Sequence, residues 1–252
     1  MNKKIAIITG GSRGLGKSAA LKLAERGADV IFTYHSRQAE ADAVVVEIEH
    51  LGGKGVALSL DVGNSATFVA FAERVKAELE KNWKRSNFDY LVNNAGSGIN
   101  TPFAETTEAQ FDLMMNIHLK GVFFLTQHLL PMIADGGRIL NVSSGLTRFT
   151  LPGYAAYATM KGAVEVLTRY LAKELGGRDI AVNVIAPGAI ATDFGGGAVR
   201  DNKDLNAYIA AQTALGRVGQ PDDIGGVIAA LLSGDCSWID AQRIEISGGI
   251  SI

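Results

Sequence analysis

Hydrophobic positions along the chain fall into two alternating patterns. Short, nearly continuous apolar and β-branched runs occupy 5–9, 30–34, 56–60, 90–92, 138–142, 181–185 and 243–246. Between them, at 15–26, 39–51, 65–81, 108–133, 154–175 and 222–232, apolar residues recur with helical spacing. Continuous apolar runs suit strands of a parallel sheet covered on both faces; half-wet strands alternate instead. Seven such strands alternating with helices predict an α/β fold, a doubly wound, seven-stranded parallel sheet with helices on both faces and right-handed crossovers. No Pro/Ser-rich linker, charge block or internal repeat divides the pattern, so one domain is expected over 1–252. The stretch 193–206 differs. It carries Gly195-Gly196-Gly197 and several polar residues, and is expected to be a mobile segment able to close over a ligand at the carboxyl ends of the strands.

Composition narrows the function. The 252 residues carry 24 Lys+Arg against 26 Asp+Glu, a net charge of -2, which offers no electrostatic footprint for nucleic acid. One cysteine, Cys236, excludes an internal disulfide and a thiolate metal cluster. His35, His50, His118 and His128 have no metal-ligand spacing, so no metal is expected, and none of the four is expected to act as a catalytic base. The apolar run before Gly10 is too short for a signal peptide, and the best membrane candidate, 122–133, is interrupted by Gln127, His128 and Pro131. A cytoplasmic protein with no membrane partner is expected.

The first strand runs into Thr9-Gly10-Gly11-Ser12-Arg13-Gly14-Leu15-Gly16, and a helix follows. Glycines allow a tight turn and the close approach of a pyrophosphate, and the helix N-terminus supplies unpaired N–H groups. The spacing of Gly10, Gly14 and Gly16 departs from G-x-G-x-x-G; its place between strand and helix carries the reading. The second strand ends Tyr34-His35-Ser36-Arg37 with no carboxylate, where an NAD-selective site wants an acid for the ribose 2′-OH. Arg13, Ser36 and Arg37 suit a 2′-phosphate, and His35 lies within reach of one. NADP(H) is therefore favoured over NAD(H). The competing reading is that Arg37 begins a solvated helix face.

Tyr157 and Lys161 lie at i and i+4, on one helical face. A phenol titrates near 10; an ammonium about 5 Å away at an effective dielectric of about 20 stabilises the phenolate by roughly 3 kcal/mol, about two pKa units. That would make Tyr157 a usable acid/base. Alone, the pair reads as well as a packed tyrosine with a snorkelling lysine. Ser143-Ser144 and Asn93-Asn94-Ala95-Gly96, however, each follow a strand at the same predicted edge, and Asn116 sits among apolar residues where an amide needs a partner. Phe149, Leu151, Tyr154 and Phe194 flank this set and would line an apolar substrate pocket; ordinary core packing competes with that reading.

On these motifs the chain resembles the short-chain dehydrogenase/reductase family, in its single-domain branch of roughly 250 residues. Thr9–Gly16, Asp61-Val62, Asn93 to Gly96, Asn116, Ser144, Tyr157-x-x-x-Lys161, Pro187-Gly188 and Thr192 run in the family's order over nearly the whole length, Ser144 at the family's spacing before Tyr157. The resemblance implies a Rossmann fold and a catalytic tetrad. In it Tyr157 is the acid/base, Ser144 positions the reacting oxygen, Lys161 lowers the tyrosine pKa and binds the nicotinamide ribose, and Asn116 supports a proton-relay water. It also implies that Asp61 and Val62 contact adenine, that Asn93, Ala95, Gly96, Pro187 and Gly188 border the cofactor, and that Ile190 and Thr192 contact its carboxamide. The expected activity is NADPH-dependent reduction of a ketone or aldehyde to an alcohol, reversibly, on a small-molecule substrate. The alternatives are a 3-oxoacyl-carrier-protein reductase, which the acidic stretch Ala134-Asp135-Gly136-Gly137 disfavours although Arg178 is available, and a non-catalytic NADP-sensing regulatory protein. A homotetramer built on 108–133 and 154–175 is implied. Three departures stand out: a surface insertion at 81–87, expected to lie away from the chemistry, Ala241 where the family has Gly, and Ser247 where it has Asp.

Overall fold

The structure, a computed structural model, describes residues 3–252. Seven strands form one wholly parallel sheet in the order β3-β2-β1-β4-β5-β6-β7. They are β1 (Ile5–Ile8), β2 (Asp29–Tyr34), β3 (Gly55–Ser59), β4 (Phe88–Asn93), β5 (Ile133–Val142), β6 (Ala181–Pro187) and β7 (Arg243–Ile246). The helices are α1 (Gly14–Glu25), α2 (Gln38–His50), α3 (Phe68–Trp83), α4 (Glu108–Met115), α5 (Gly121–Leu129), α6 (Ala155–Leu175), α7 (Ala198–Asp201), α8 (Lys203–Ala211) and α9 (Pro221–Leu231). The doubly wound expectation holds. Strand order reverses between β1 and β4, and a crevice outside the carboxyl ends of the strands is the ligand position of such sheets.

The continuous apolar runs are explained by two cores. In β1, Ala6 and Ile8 pack with Leu23 of α1, Val44 of α2 and Ile228 of α9. Their neighbours Ile5 and Ile7 point the other way, against Phe71 and Val75 of α3, Leu129 of α5 and Leu175 of α6. Side chains alternate between faces as in any strand, but here both faces are dry.

Two expectations change and one holds. The single helix expected over 108–133 is three pieces. Between α4 and α5 the backbone widens into a π turn over Asn116–Lys120, and 133–137 belong to β5, whose pairing with β4 shifts between Phe88 and Tyr90. An apolar periodicity does not register a π turn, and Gly136-Gly137 looks like a loop until its register is seen. The segment 193–206 is built, not bare: a turn over Phe194–Gly197 leads into α7 and α8. The insertion at 81–87 ends α3 at Trp83, with Lys84 left-handed at φ 54, and lies at the amino ends of the strands. There Trp83 Nε1 donates to Asp29 Oδ2 at 2.7 Å and Arg85 Nη1 to Asp89 Oδ2 at 3.0 Å. It staples the edge opposite the site, as its position before a strand predicted.

Candidate active site

The phosphate turn is held from three sides. Gly10 N donates to Thr33 Oγ1 at 3.0 Å and Gly11 N to Thr33 O at 2.8 Å, fixing the turn to β2. Asn94 Nδ2 donates to Thr9 O and Gly10 O, while Thr9 Oγ1 accepts from the amides of Asn94 and Ala95, tying it to the end of β4. Gly10 sits at φ +68, and a Cβ on Gly16 would lie 2.1 Å from Gly10 O, so a side chain at either position would open the turn. Helix α1 then begins with no side-chain cap and no acidic residue in its first turn. Its free amides are those of an anion site, and Ser12, Arg13 and Leu15 sit on the same turn. Thr192 places its Cγ2 3.6 Å from the Cβ position of Gly14, so the late segment closes on this turn.

The remaining expected cofactor residues collect at the same sheet edge. His35, Ser36 and Arg37 follow β2, and Asp61 and Val62 follow β3. His35 Nε2 is 4.0 Å from Asp61 Oδ2, whose partner oxygen Oδ1 accepts from Gly63 N at 2.8 Å. Arg37 Nη1 is 2.7 Å from Glu40, and Arg13 Nη1 is 3.1 Å from Asp193 Oδ2. These ion pairs are half exposed and worth about 0–1 kcal/mol each, so either guanidinium is exchangeable to a stronger anion. Pro187 ends β6, Gly188 N donates to Ile246 O at 2.9 Å, and Ile190 bridges to Gly219. These residues fit a dinucleotide: bare amides at a helix start, no acid directed at the ribose after β2, and two exchangeable arginines. The Asn93 side chain is buried, Nδ2 donating to Thr126 Oγ1 at 3.0 Å and Asn141 Oδ1 at 2.8 Å, so it fastens β4, α5 and β5 together beside this edge.

The tetrad residues meet where β5 and α6 face each other. Tyr157 is 7% exposed and Lys161 4%. Ser144 leaves β5 in an extended conformation, its Oγ accepting from Leu146 N at 3.2 Å and lying against the Tyr157 phenol. Asn116 opens the π turn, a register that frees backbone carbonyls. Lys161 corrects the electrostatic expectation. Its Nζ donates to Val142 O at 2.7 Å and stands 5.6 Å from the Tyr157 ring centre, on one face of the ring. The phenol is accordingly not lowered. Burial pushes it up to about 12, partly offset by the Ser144 hydroxyl and reinforced by Tyr154. Burial also draws the Lys161 ammonium down to about 8. The expectation placed the two charges side by side; here desolvation is the leading cause of both shifts.

Three functional neighbours were not singled out for their roles. His118 is wholly buried, one of the histidines set aside from the sequence. Its Nε2 donates to Ser97 O at 2.7 Å, its ring meets Tyr157 edge-on at 5.0 Å, and its Nδ1 has no partner. Burial and the Lys161 charge depress it to about 3, so it is neutral. Glu165 lies one turn beyond Lys161. One of its carboxylate oxygens accepts from Ser143 Oγ and Thr147 Oγ1, both at 2.7 Å, and from Arg243 Nε at 2.8 Å. It ties the turn that carries Ser144 to the helix that carries Tyr157. Its signal in the sequence is a charge on the buried 157/161/165 stripe. Phe194, expected only as a possible pocket wall, lies with its ring centre 5.6 Å from that of Tyr157. A surface depression lined by Arg169, Lys173 and Asp240 lies three turns along α6 from Tyr157, away from this site.

Comparison with known proteins places this geometry. The family model described as enoyl-(acyl carrier protein) reductase matches residues 10–251. An uncharacterised oxidoreductase of Methylorubrum extorquens is 37% identical over 247 residues, covering 98% of this chain and 97% of that protein. A hydroxynaphthalene reductase-like protein, Arp2, of Metarhizium brunneum is 36% identical, covering 98% and 94%. Among solved structures, the promiscuous reductase LugOII superposes with a TM-score of 0.94 at 35% identity, covering 100% of this chain and 99% of that one. The angucycline C-6 ketoreductase LanV with bound NADP superposes at 0.93 and 35%, covering 98% and 95%. With sheet order, glycine turn and the Ser144, Tyr157 and Lys161 constellation agreeing, the chain belongs to the short-chain dehydrogenase/reductase family of oxidoreductases.

Proposed function

We propose that this protein is an NADPH-dependent reductase of a small-molecule ketone or aldehyde, run reversibly as an alcohol dehydrogenase. The observation that carries the reading is the meeting of the buried Tyr157 side chain with Ser144 and Lys161 at the ligand edge of the sheet. At neutral pH the phenol holds the proton that carbonyl reduction must deliver to the substrate oxygen. When bound, the nicotinamide supplies the hydride. Ser144 Oγ orients the substrate oxygen, Tyr157 Oη gives it a proton, and the Lys161 ammonium beneath the ring offsets the charge left behind. Asn116, at the π turn, would hold the water that returns the proton. NADP(H) over NAD(H) rests on Arg13, Ser36 and Arg37 and the missing acid after β2, and solved relatives such as LanV carry NADP.

The test is purified protein with NADPH and a panel of carbonyls, followed at 340 nm, with NADH in parallel. Absorbance loss with NADPH and a ketone, and a weaker response with NADH, are expected. Tight NADPH binding with no turnover of any carbonyl contradicts the reading and leaves the NADP-sensing alternative. A 3-oxoacyl-carrier substrate is the second reading; the description of the matching family model names an acyl carrier protein, though for an enoyl substrate. Against it, Arg178 is committed to Asp135 and to the carbonyls of Leu130 and Ile133, not offered to an acidic carrier. Activity on carrier-bound against free ketoesters separates the two. A cytoplasmic homotetramer completes the proposal. Phe111, Leu113, Phe123, Phe124 and Val166, all half-exposed on α4, α5 and α6, supply the apolar faces, and light scattering of the purified protein checks the mass.

A further inference from the structure

Position 98 lies at the mouth of the site, and its φ is not in the left-handed region, so no backbone demand explains a glycine there. The missing side chain is used instead by Phe194. A Cβ on Gly98 would stand 2.6, 2.8 and 3.4 Å from three atoms at the far edge of the Phe194 ring. The same ring lies 5.6 Å from Tyr157, tilted by 58°. Tyr154 meets Tyr157 from another side at 6.3 Å, and Ile99 and Leu146 pack onto the same small cluster. None of these five side chains carries a charge. The chain thus seats one of its own phenyl rings against bare backbone, next to the proton donor.

Phe194 is 40% exposed. Directly after it come Gly195, Gly196 and Gly197 at φ 61, 75 and 82. Three consecutive glycines change backbone conformation at little cost, so the ring can leave without unfolding α7 or α8. Before it, Asp193 is tied to Arg13 and Arg200 by exposed ion pairs, which hold the backbone loosely.

We propose that the space now filled by Phe194 is a slot for a planar aromatic ring of the substrate, and that fused-ring or aryl ketones are the preferred substrate class. This rests on the reductase reading above. A flat ring repeats the contacts that Phe194 makes: its edge against the Gly98 backbone and its body against Tyr157, at centroid distances typical of aromatic pairs. An open-chain ketone reaches Ser144 and Tyr157 but leaves that slot unfilled. Gly98 and Phe194 are therefore the specificity-determining positions.

The test compares 2-tetralone with 2-butanone as substrates, and titrates 2-naphthol, which is not reduced, into the NADP+-loaded protein by calorimetry. Gly98→Ala puts a methyl group into the slot. It should lower the ratio of kcat/KM for 2-tetralone over 2-butanone about ten-fold and weaken 2-naphthol binding by about the same factor, the size of one aromatic contact with its buried area. Phe194→Ala removes the competing ring and should tighten 2-naphthol several-fold. An unchanged ratio and unchanged 2-naphthol affinity in Gly98→Ala, or weaker 2-naphthol binding in Phe194→Ala, overturns the slot. Should wild type bind 2-naphthol in this pattern yet reduce no carbonyl, the slot stands and the reductase reading falls.

Discussion

At the scale of single residues, the site is governed by desolvation. Tyr157, Lys161 and His118 are packed together with almost no water, and each is moved toward its neutral form: the phenol up to about 12, the ammonium down to about 8, the imidazole down to about 3. Two pH effects follow, of different kinds. Below about 8 the free protein carries a Lys161 ammonium under the Tyr157 ring; above it the charge is lost while the phenol stays protonated. Reduction should therefore have a kcat/KM that is level from pH 6 to 7.5 and declines above about 8. A profile level to pH 10 would show that Lys161 does not act as a cation. For His118 the effect is on stability. Its folded pKa lies below the ordinary 6.5, so the unfolded chain binds the extra proton first, and stability is full above 6.5 and falls as pH drops toward 3. The loss between pH 6.5 and 4 comes to about 3 kcal/mol by linkage. Urea unfolding of wild type and His118→Phe across that range measures it; the variant, though less stable at pH 8, should lose this part of the slope. Glu165 acts through Ser144. In Glu165→Ala the hydroxyls of Ser143 and Thr147 and the Arg243 guanidinium lose the carboxylate they share and fall back on Lys161 O, Ser144 O and Glu245, at about 1–3 kcal/mol. kcat should fall about ten-fold with NADPH affinity unchanged, since no part of the dinucleotide edge touches Glu165. A loss in cofactor affinity matching the loss in kcat would assign it a general structural role instead.

At the scale of elements, the sequence was most legible where one physical rule decides the outcome. Runs such as Ile5 to Ile8, apolar on both faces, admit only a covered parallel strand, and all seven strands lie where those runs lie. The glycine turn was legible for the same reason, because Gly10 and Gly16 leave no room for a Cβ. The π turn at Asn116–Lys120 was not. It adds one residue to a turn without disturbing the apolar spacing around it, and so it brings His118 under Tyr157 from a position that reads as core. Helices α7 and α8 were missed because Gly195-Gly196-Gly197 dominates the local composition, while Asn202 caps α8 through Oδ1, accepting from the amides of Asp204 and Leu205. The family's glycine at 241 has a clear reason: Ala241 sits at φ 59, held there by its amide donating to Val182 O at 3.0 Å. A left-handed alanine costs roughly 1–2 kcal/mol. Ala241→Gly should raise stability by about 1 kcal/mol, about 2–4 °C in Tm for a domain of this size, with activity unchanged. A lower Tm would show that the position gains more from the methyl group than it loses in strain.

At the scale of the whole molecule, the sheet brings to one edge residues spread from Gly10 to Thr192, and its opposite edge holds the network of Trp83, Arg85 and Asp89 that keeps the strands in register. The list of site residues could be read from motif order because that edge is fixed by topology. Their electrostatics could not, because the direction of a pKa depends on burial, which only the packed chain sets. The segment from Asp193 to Gly197 links the two halves of the site, with Asp193 on Arg13 of the phosphate turn and Phe194 on Tyr157. The central claim is that the Tyr157 hydroxyl donates the proton beside a bound dinucleotide. Its most direct test is single-turnover oxidation of NADPH by Tyr157→Phe with saturating ketone, alongside a fluorescence titration of NADPH. The substitution keeps the ring against His118 and removes only the hydroxyl. The rate should fall by about a hundred- to ten-thousandfold, the worth of a general acid, while NADPH affinity stays within about twofold. A variant that turns over at the wild-type rate would contradict the mechanism.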